Sequence, residues 1–414
     1  MRRLVHVFNH LGPGIVAASA AIGTSHLVQS TRAGGYYGFE LLWVVILINL
    51  LKYPFIENGF RYAGATGENL LTAYHKLNKY YLIFFLLINL VAAIGGIALL
   101  VYVTGGIAKS VLGLGYDVKM VSLGVMLASM ALVIFESYDV FDRVMKMFMV
   151  LLFFSTLFAV GMAIFHYDPA NSKVVYQTSA WTKSQLPFVV ALMGWMPGPI
   201  ELGAWYSLWF QAKNRGQYRL DFKGAKLDFN FGYVLVIVTA VFFVTLGALV
   251  LHSSGELISK NPSVFAAQLV SIYTSTIGAW SEPIIGLAML TTILSTTITL
   301  IDIYPRSISV SMQILMNTSY PVERVQRKIL TFVFCGLSYL IIHYLVSDLT
   351  TIADIVTASS FLFAPFFAFL NYQVVNSKLL PKRFRPHWML KVLSLAGFVF
   401  MIGFDVVFLY VEFF

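Results

Sequence analysis

Apolar runs long enough to cross about 30 Å of hydrocarbon dominate this chain, and short polar connections separate them. Eleven such runs lie at roughly 12–33, 39–60, 80–112, 118–137, 143–166, 184–210, 228–253, 279–316, 329–346, 350–373 and 388–413. They predict an all-α polytopic membrane protein, because only self-satisfied helices or closed barrels tolerate lipid. The runs 80–112 and 279–316 exceed the need, so they are expected to tilt or extend beyond the bilayer. The longest connection on the basic side is about "QAKNRGQYRLDFKGAKLDF", and no soluble domain interrupts the series. A single transmembrane domain over 1–414 follows.

Two runs break their own pattern. The first places Gly23, Thr24, Ser25 and His26 in the middle of apolar sequence, and the sixth places Met196, Pro197, Gly198 and Pro199 there. Proline removes a backbone donor and clashes with the preceding turn, and glycine weakens a helix, so neither stretch suits regular helix. Five spans separate the two, an odd number, so the halves about 12–166 and 184–373 are expected to have opposite topology, with 388–413 as an extra helix. Paired interrupted helices in inverted halves point to a transporter whose substrate sits near the midplane.

Composition and charge support the membrane reading and set an orientation. Hydrophobic residues make up 58% of the chain and charged residues 11%, with a mean hydropathy of +0.78, which excludes a soluble class. The net charge of +9 is no nucleic-acid signal, because twenty loop cations fall on one set of alternate connections against five on the other. The rule that basic loops stay inside puts the N-terminus in the cytoplasm and the C-terminus outside a plasma or bacterial inner membrane. No separate cleavable signal is expected, since Arg2 and Arg3 lead into the first span. The single cysteine, Cys335, is mid-span, which rules out disulfides and cysteine metal sites.

The stretch "GPGIVAASAAIGTSHLVQSTRAGGYYGFELLW", with "RYAGATGENLL" after the second span and "MP" in the sixth, resembles the Nramp family of metal-ion transporters. The resemblance implies a LeuT-type fold, with eleven transmembrane helices, a 5+5 inverted repeat and helices one and six broken. The family has Asp-Pro-Gly-Asn at the first break, whose aspartate and asparagine bind the metal. Here the matching residues are Gly23, Thr24, Ser25 and His26, and only Met196 matches a family ligand. The family's proton-linked acidic positions in the third span fall at Asn89 and Ala92, and its histidine after Met-Pro falls at Gly198. Weak or absent proton coupling is expected, with Glu201, Asp354 and His26 as the remaining titratable candidates.

Two substrate classes follow from these residues. A divalent cation needs hard oxygen ligands, normally with a carboxylate, and Gly23 supplies none. An anion would find the backbone N–H groups of a restarting helix and the donors of Thr24, Ser25 and His26, with His26 projecting toward the first break. The leading expectation is therefore a secondary transporter of a small anion, bicarbonate in particular, with Gly23, Thr24, Ser25, His26, Met196, Pro197 and Gly198 around it. The alternative is a divalent metal cation held by an atypical ligand set. Glu201, Asp302, Arg306 and Asp354 are candidates for coupling or gating, Asp302 and Arg306 being spaced as a pair on one helical face. Glu57 and Arg61 share that spacing and read as structural. No resident metal, cofactor or nucleic-acid partner is expected, and a monomer in the bilayer with a small ion as substrate suffices. HExxH, GxSxG and nucleotide-loop patterns are missing, which disfavours an intramembrane enzyme or an ATP-driven pump.

Overall fold

A computed structural model describes residues 11–135, 138–167, 179–215, 219–252, 259, 261–345 and 349–413. Among them the chain forms helices and no strand. The first segment is α1 (Pro13–Ala21), a bend at Ile22 and Gly23, a π-helical turn over Ser25–Ser30, and α2 (Thr31–Tyr37). Pro13 suits the first turn of α1, where its missing N–H has no partner to lose. Next come α3 (Leu42–Thr66), a short α4 (Leu70–Leu77), α5 (Lys79–Val111), α6 (Val118–Phe135) and α7 (Tyr138–His166). The sixth expected span is divided into α8 (Leu186–Gly194) and α9 (Leu202–Asn214). After it follow α10 (Phe222–Leu246) with a π-helical extension over Gly247–His252, α11 (Pro262–Ile277), α12 (Glu282–Met316), α13 (Tyr320–Tyr344), α14 (Leu349–Asn376) and α15 (Trp388–Phe413).

Eight helices, among the described residues, are long and apolar enough to cross a membrane. The other three expected spans fall on the two divided segments and on α3, which carries Lys52, Glu57 and Arg61 within it. Helix ends depart from the apolar runs because a helix continues through polar turns until something caps it. Thus α3 runs on to Thr66 and closes at Gly67 in the left-handed region, and α10 begins at Phe222, where the Asp221 side chain accepts from the Gly224 N–H. The short helices α4 and α11, which no apolar run announces, start at Asn69 and Asn261, each accepting backbone N–H bonds as N-caps do.

The centre of the bundle is the long pairing of α5 with α12, and α1 packs between α10, α7 and α12. Around the breaks the backbones approach without side chains between them. A Cβ added to Gly194 would lie 1.9 Å from the Thr357 carbonyl oxygen on α14, and one on Gly59 of α3 would lie 2.0 Å from that of Gly203 on α9. Small residues are how membrane helices reach such contact. Lipid takes the outside: Val392, Leu395, Val399 and Val406 of α15 are all exposed.

Candidate functional site

At the first break, α1 ends with its last carbonyls lacking helical partners, as any helix end does. The Thr296 hydroxyl on α12 lies 2.8 Å from the Ser19 carbonyl oxygen and 2.9 Å from that of Ile22, so one donor serves both. Gly23 is needed here because a Cβ would fall 2.6–2.8 Å from the Thr296 side chain. The Gly23 carbonyl accepts from the backbone N–H groups of His26 (3.1 Å) and Leu27 (2.8 Å). Ser25 Oγ donates to the Ala21 carbonyl at 2.9 Å. Thr24 Oγ1 is buried with no hydrogen-bond partner.

His26 does not project toward the break. Its Nδ1 is 2.8 Å from Ser25 Oγ and its Nε2 is 3.1 Å from the Val236 carbonyl oxygen on α10. The ring is fully buried against that helix. Of the donors counted for an anion at the restart, the imidazole, the Ser25 hydroxyl and the N–H groups of His26 and Leu27 are turned to protein acceptors, while the Thr24 hydroxyl has none.

The second break adjoins the first. Helix α8 stops at Trp195, a cis peptide joins Met196 to Pro197, and α9 resumes at Leu202. A Cβ on Gly198 would lie 3.6 Å from the Ala21 Cβ, so the divided segments meet as the inverted arrangement requires. Met196 is fully buried, and Pro197 lines one small cavity with Ala17 and Ala18 of α1 and Val236 of α10. Glu201, just ahead of α9, is buried with Oε2 unpartnered, and so is Trp205 Nε1 one turn on.

Lys52 of α3, absent from the candidates read along the chain, reaches into this break. Its Nζ donates to the carbonyl oxygens of Met193 (2.7 Å), Gly194 (2.7 Å) and Gly198 (3.3 Å), and the residue is fully buried. Glu201 and Asp405 are the carboxylates whose charges act on it. The signal was present in the sequence: outside the loops remain only Arg32, Lys52 and Arg306 as cations, and a cation inside a span marks function by default.

The remaining candidates pair off away from the joined breaks. Arg306 grips Asp302 with Nη2–Oδ1 at 2.6 Å and Nε–Oδ2 at 3.0 Å, and Trp209 Nε1 donates to Asp302 at 3.0 Å. Both members of that pair border a cavity of about 260 Å³ that Arg215, Arg324 and Arg327 also line. Asp354 takes Arg32 through both oxygens, at 2.8 and 3.2 Å, and Gln29 at 2.8 Å. Glu57 and Arg61 pair at 2.9 and 3.1 Å. Asn89 donates to the Phe85 carbonyl at 3.0 Å. A further carboxylate that sequence reading missed, Asp228, accepts from the N–H groups of Gly12 (2.7 Å) and Gly14 (2.6 Å) and holds the start of α1. Among the described residues no group of three or more His, Cys, Asp or Glu side chains converges as a metal site.

Two divided helices in contact within an all-α bundle define the LeuT-like fold class. The structure of MhsT in complex with L-phenylalanine superposes with a TM-score of 0.60 at 13% identity, covering 97% of this chain and 98% of that one. A manganese transporter of Eremococcus coleocola superposes with a TM-score of 0.73 at 13% identity, covering 97% of this chain and 86% of that one. At such identities the likeness is one of fold. The profile of the family described as natural resistance-associated macrophage protein-like matches residues 14–411, and the chain belongs to that family, Nramp, whose members are multi-pass membrane transporters and not enzymes. An uncharacterized protein of Pasteurella multocida is 34% identical over 408 residues, 97% of this chain and 92% of that one. A divalent metal cation transporter, MntH, of Chromohalobacter salexigens is 39% identical over 59 residues, 14% of each chain.

Proposed function

We propose that this Nramp-family transporter carries a divalent metal cation, held by an atypical ligand set where the two divided helices meet. The observation that carries the reading is the family match over residues 14–411, together with Met196 buried at that junction. The relatives named as divalent metal cation transporters support the same class. Ends of half-helices that expose carbonyl oxygens suit cations. The ligands would be the Met196 thioether, carbonyl oxygens at the ends of α1 and α8, the Thr24 hydroxyl and the Glu201 carboxylate. Thr24 Oγ1 and Glu201 Oε2 are buried with no protein partner, so neither has to give up a hydrogen bond to ligate an ion.

The bicarbonate expectation is not carried forward. Two of its three side-chain donors are engaged elsewhere, His26 with Val236 and Ser25 with Ala21, and no comparison supports it. The divalent-cation alternative is the better supported of the two.

In this reading the N-terminus lies in the cytoplasm of a plasma or bacterial inner membrane. The Arg32–Asp354 pair then closes the outer end of the path, and the Asp302–Arg306 pair with Trp209 closes the inner end. Glu201 is the one coupling candidate left with an unpartnered oxygen, since Asp354 is in an ion pair and His26 is hydrogen-bonded on both nitrogens. The test is Mn²⁺ uptake into proteoliposomes followed by an internal metal-sensitive dye. Saturable uptake, lost on replacing Met196 with alanine, is expected. Saturable bicarbonate flux with no uptake of Mn²⁺, Fe²⁺ or Mg²⁺ would overturn the reading.

A further inference from the structure

The Lys52 ammonium is placed as an ion is placed in a carbonyl cage. It ends at the C-terminal end of α8, where the carbonyls of Met193 and Gly194 have no partner inside the helix, and a third carbonyl, from Gly198 beyond the break, converges on it. A lysine ammonium carries three N–H donors and no acceptor, matching three oxygens with nothing left over. The negative end of a helix dipole adds to the attraction. The ring of Phe361 stands 5.9 Å from Nζ. Nothing about packing alone calls for a lysine here, because burying an ammonium is costly unless it is so compensated, and an apolar side chain would leave those carbonyls to water or to an ion.

We propose that Lys52 is a tethered cation occupying a cation site at the second break, and that cargo cation and Lys52 ammonium are alternative occupants of those carbonyl oxygens. The second half of this statement rests on the divalent-cation reading above; the first half does not. The three carbonyl oxygens are spaced for –NH₃⁺ and the Glu201 and Asp405 carboxylates act on the same charge, so without the tether the site accepts free ammonium. In the cycle, cargo gains the carbonyls only as Lys52 withdraws, and the ammonium refills them when cargo leaves. A transporter built so has no need to return with an empty, unsatisfied oxygen cage.

The experiment uses the full chain purified in detergent, with Lys52→Ala, which opens room at the cage, and Lys52→Met, which fills that room with an uncharged chain of similar length. Unfolding midpoints are measured against NH₄Cl and, at equal ionic strength, choline chloride. The expected result is a saturable rise with ammonium in Lys52→Ala alone, with wild type and Lys52→Met unmoved. If Lys52→Ala folds only when ammonium is present during purification, the proposal is supported in a stronger form. Equal behaviour in the two salts, or failure to fold in both, overturns it. Mn²⁺ titration of the same proteins separates the two halves. Tighter binding by Lys52→Ala than by wild type, by about tenfold or more for the loss of charge-assisted bonds that cargo must break, with ammonium competing, is the expected outcome. Ammonium stabilisation without any Mn²⁺ binding in either protein keeps the tether and sinks the divalent-cation reading; Mn²⁺ binding of equal strength in both sinks the exchange.

Discussion

Replacing His26 with alanine is expected to weaken the fold and leave ion affinity nearly unchanged. The imidazole is bonded to Ser25 Oγ at 2.8 Å and to the Val236 carbonyl at 3.1 Å, both buried. Removing it deletes two buried hydrogen bonds, at about 0.5–1.5 kcal/mol each, while the Val236 carbonyl, lying inside α10, keeps its helical N–H partner. The vacated ring leaves a cavity that costs about 1–2 kcal/mol more, at ~24 cal/mol per Å³ after partial collapse. Serine 25 is spared, because its hydroxyl keeps the Ala21 carbonyl at 2.9 Å. The sum, roughly 3 kcal/mol, is large enough to read as a lower unfolding midpoint in detergent and a steep loss of folded yield. Glutamine, whose amide nitrogen reaches about where Nε2 stands, should restore part of it. The affinity for Mn²⁺, measured by calorimetry on whatever fraction folds, should stay within about twofold of wild type, since no ligand is removed. A variant as stable as wild type that binds the ion tenfold more weakly would show that His26 faces the cargo, and the account of the first break given above would be wrong.

Other substitutions probe other parts of the site. Glu201→Gln keeps the shape of a buried carboxyl and removes its charge, so Mn²⁺ affinity should fall by about tenfold or more for one lost carboxylate ligand; unchanged calorimetric affinity would remove Glu201 from the ligand set. Asp354→Asn leaves Arg32, 8% exposed at its side chain, facing a partner that is 35% exposed, and the solvent there limits the cost to about 1–2 kcal/mol. Labelling of a cysteine introduced by Thr24→Cys, the native Cys335 being buried, should then speed up from the side where α2 meets α14, and no change in labelling would mean the pair does not hold that end shut. Gly194→Ala drives a Cβ to 1.9 Å from the Thr357 carbonyl oxygen, so folded protein should be nearly lost on gel filtration, whereas Gly161→Ala, with nothing near its Cβ, should behave as wild type.

The two divided helices were legible in the sequence because Gly23 and the Met196–Pro199 stretch disobey helix chemistry wherever they fold. Their meeting at one site was legible too, from paired breaks in halves of opposite topology. The direction of the His26 side chain was not. In α1 and the turn that follows it every residue is buried, so no polar face marks which way a side chain turns, and an imidazole satisfies itself as readily on a neighbour's carbonyl as on an ion. Lys52 was visible as a cation inside a span but its role was not, because the carbonyls that give its ammonium a purpose lie more than 140 residues away. Span ends were misplaced where caps such as Asp221 and Gly67 sit beyond the last apolar residue. Asp228, likewise, counted as the polar start of a span, and only the fold brings Gly12 and Gly14 to it.

The fastening of the first divided segment has a mechanical meaning. Below the bend, α1 is pinned at its start by Asp228 and at its end by Thr296. Above it, α2 is clipped to α14 through Arg32 and Asp354. The bend at Gly23 therefore divides one span into two parts with separate moorings. The first is held by Asp228 and Thr296, the second by α14 and by the end of α10, where a Cβ on Gly34 would lie 2.1 Å from the Val244 carbonyl oxygen. Any shift between those moorings has to be taken up at the bend.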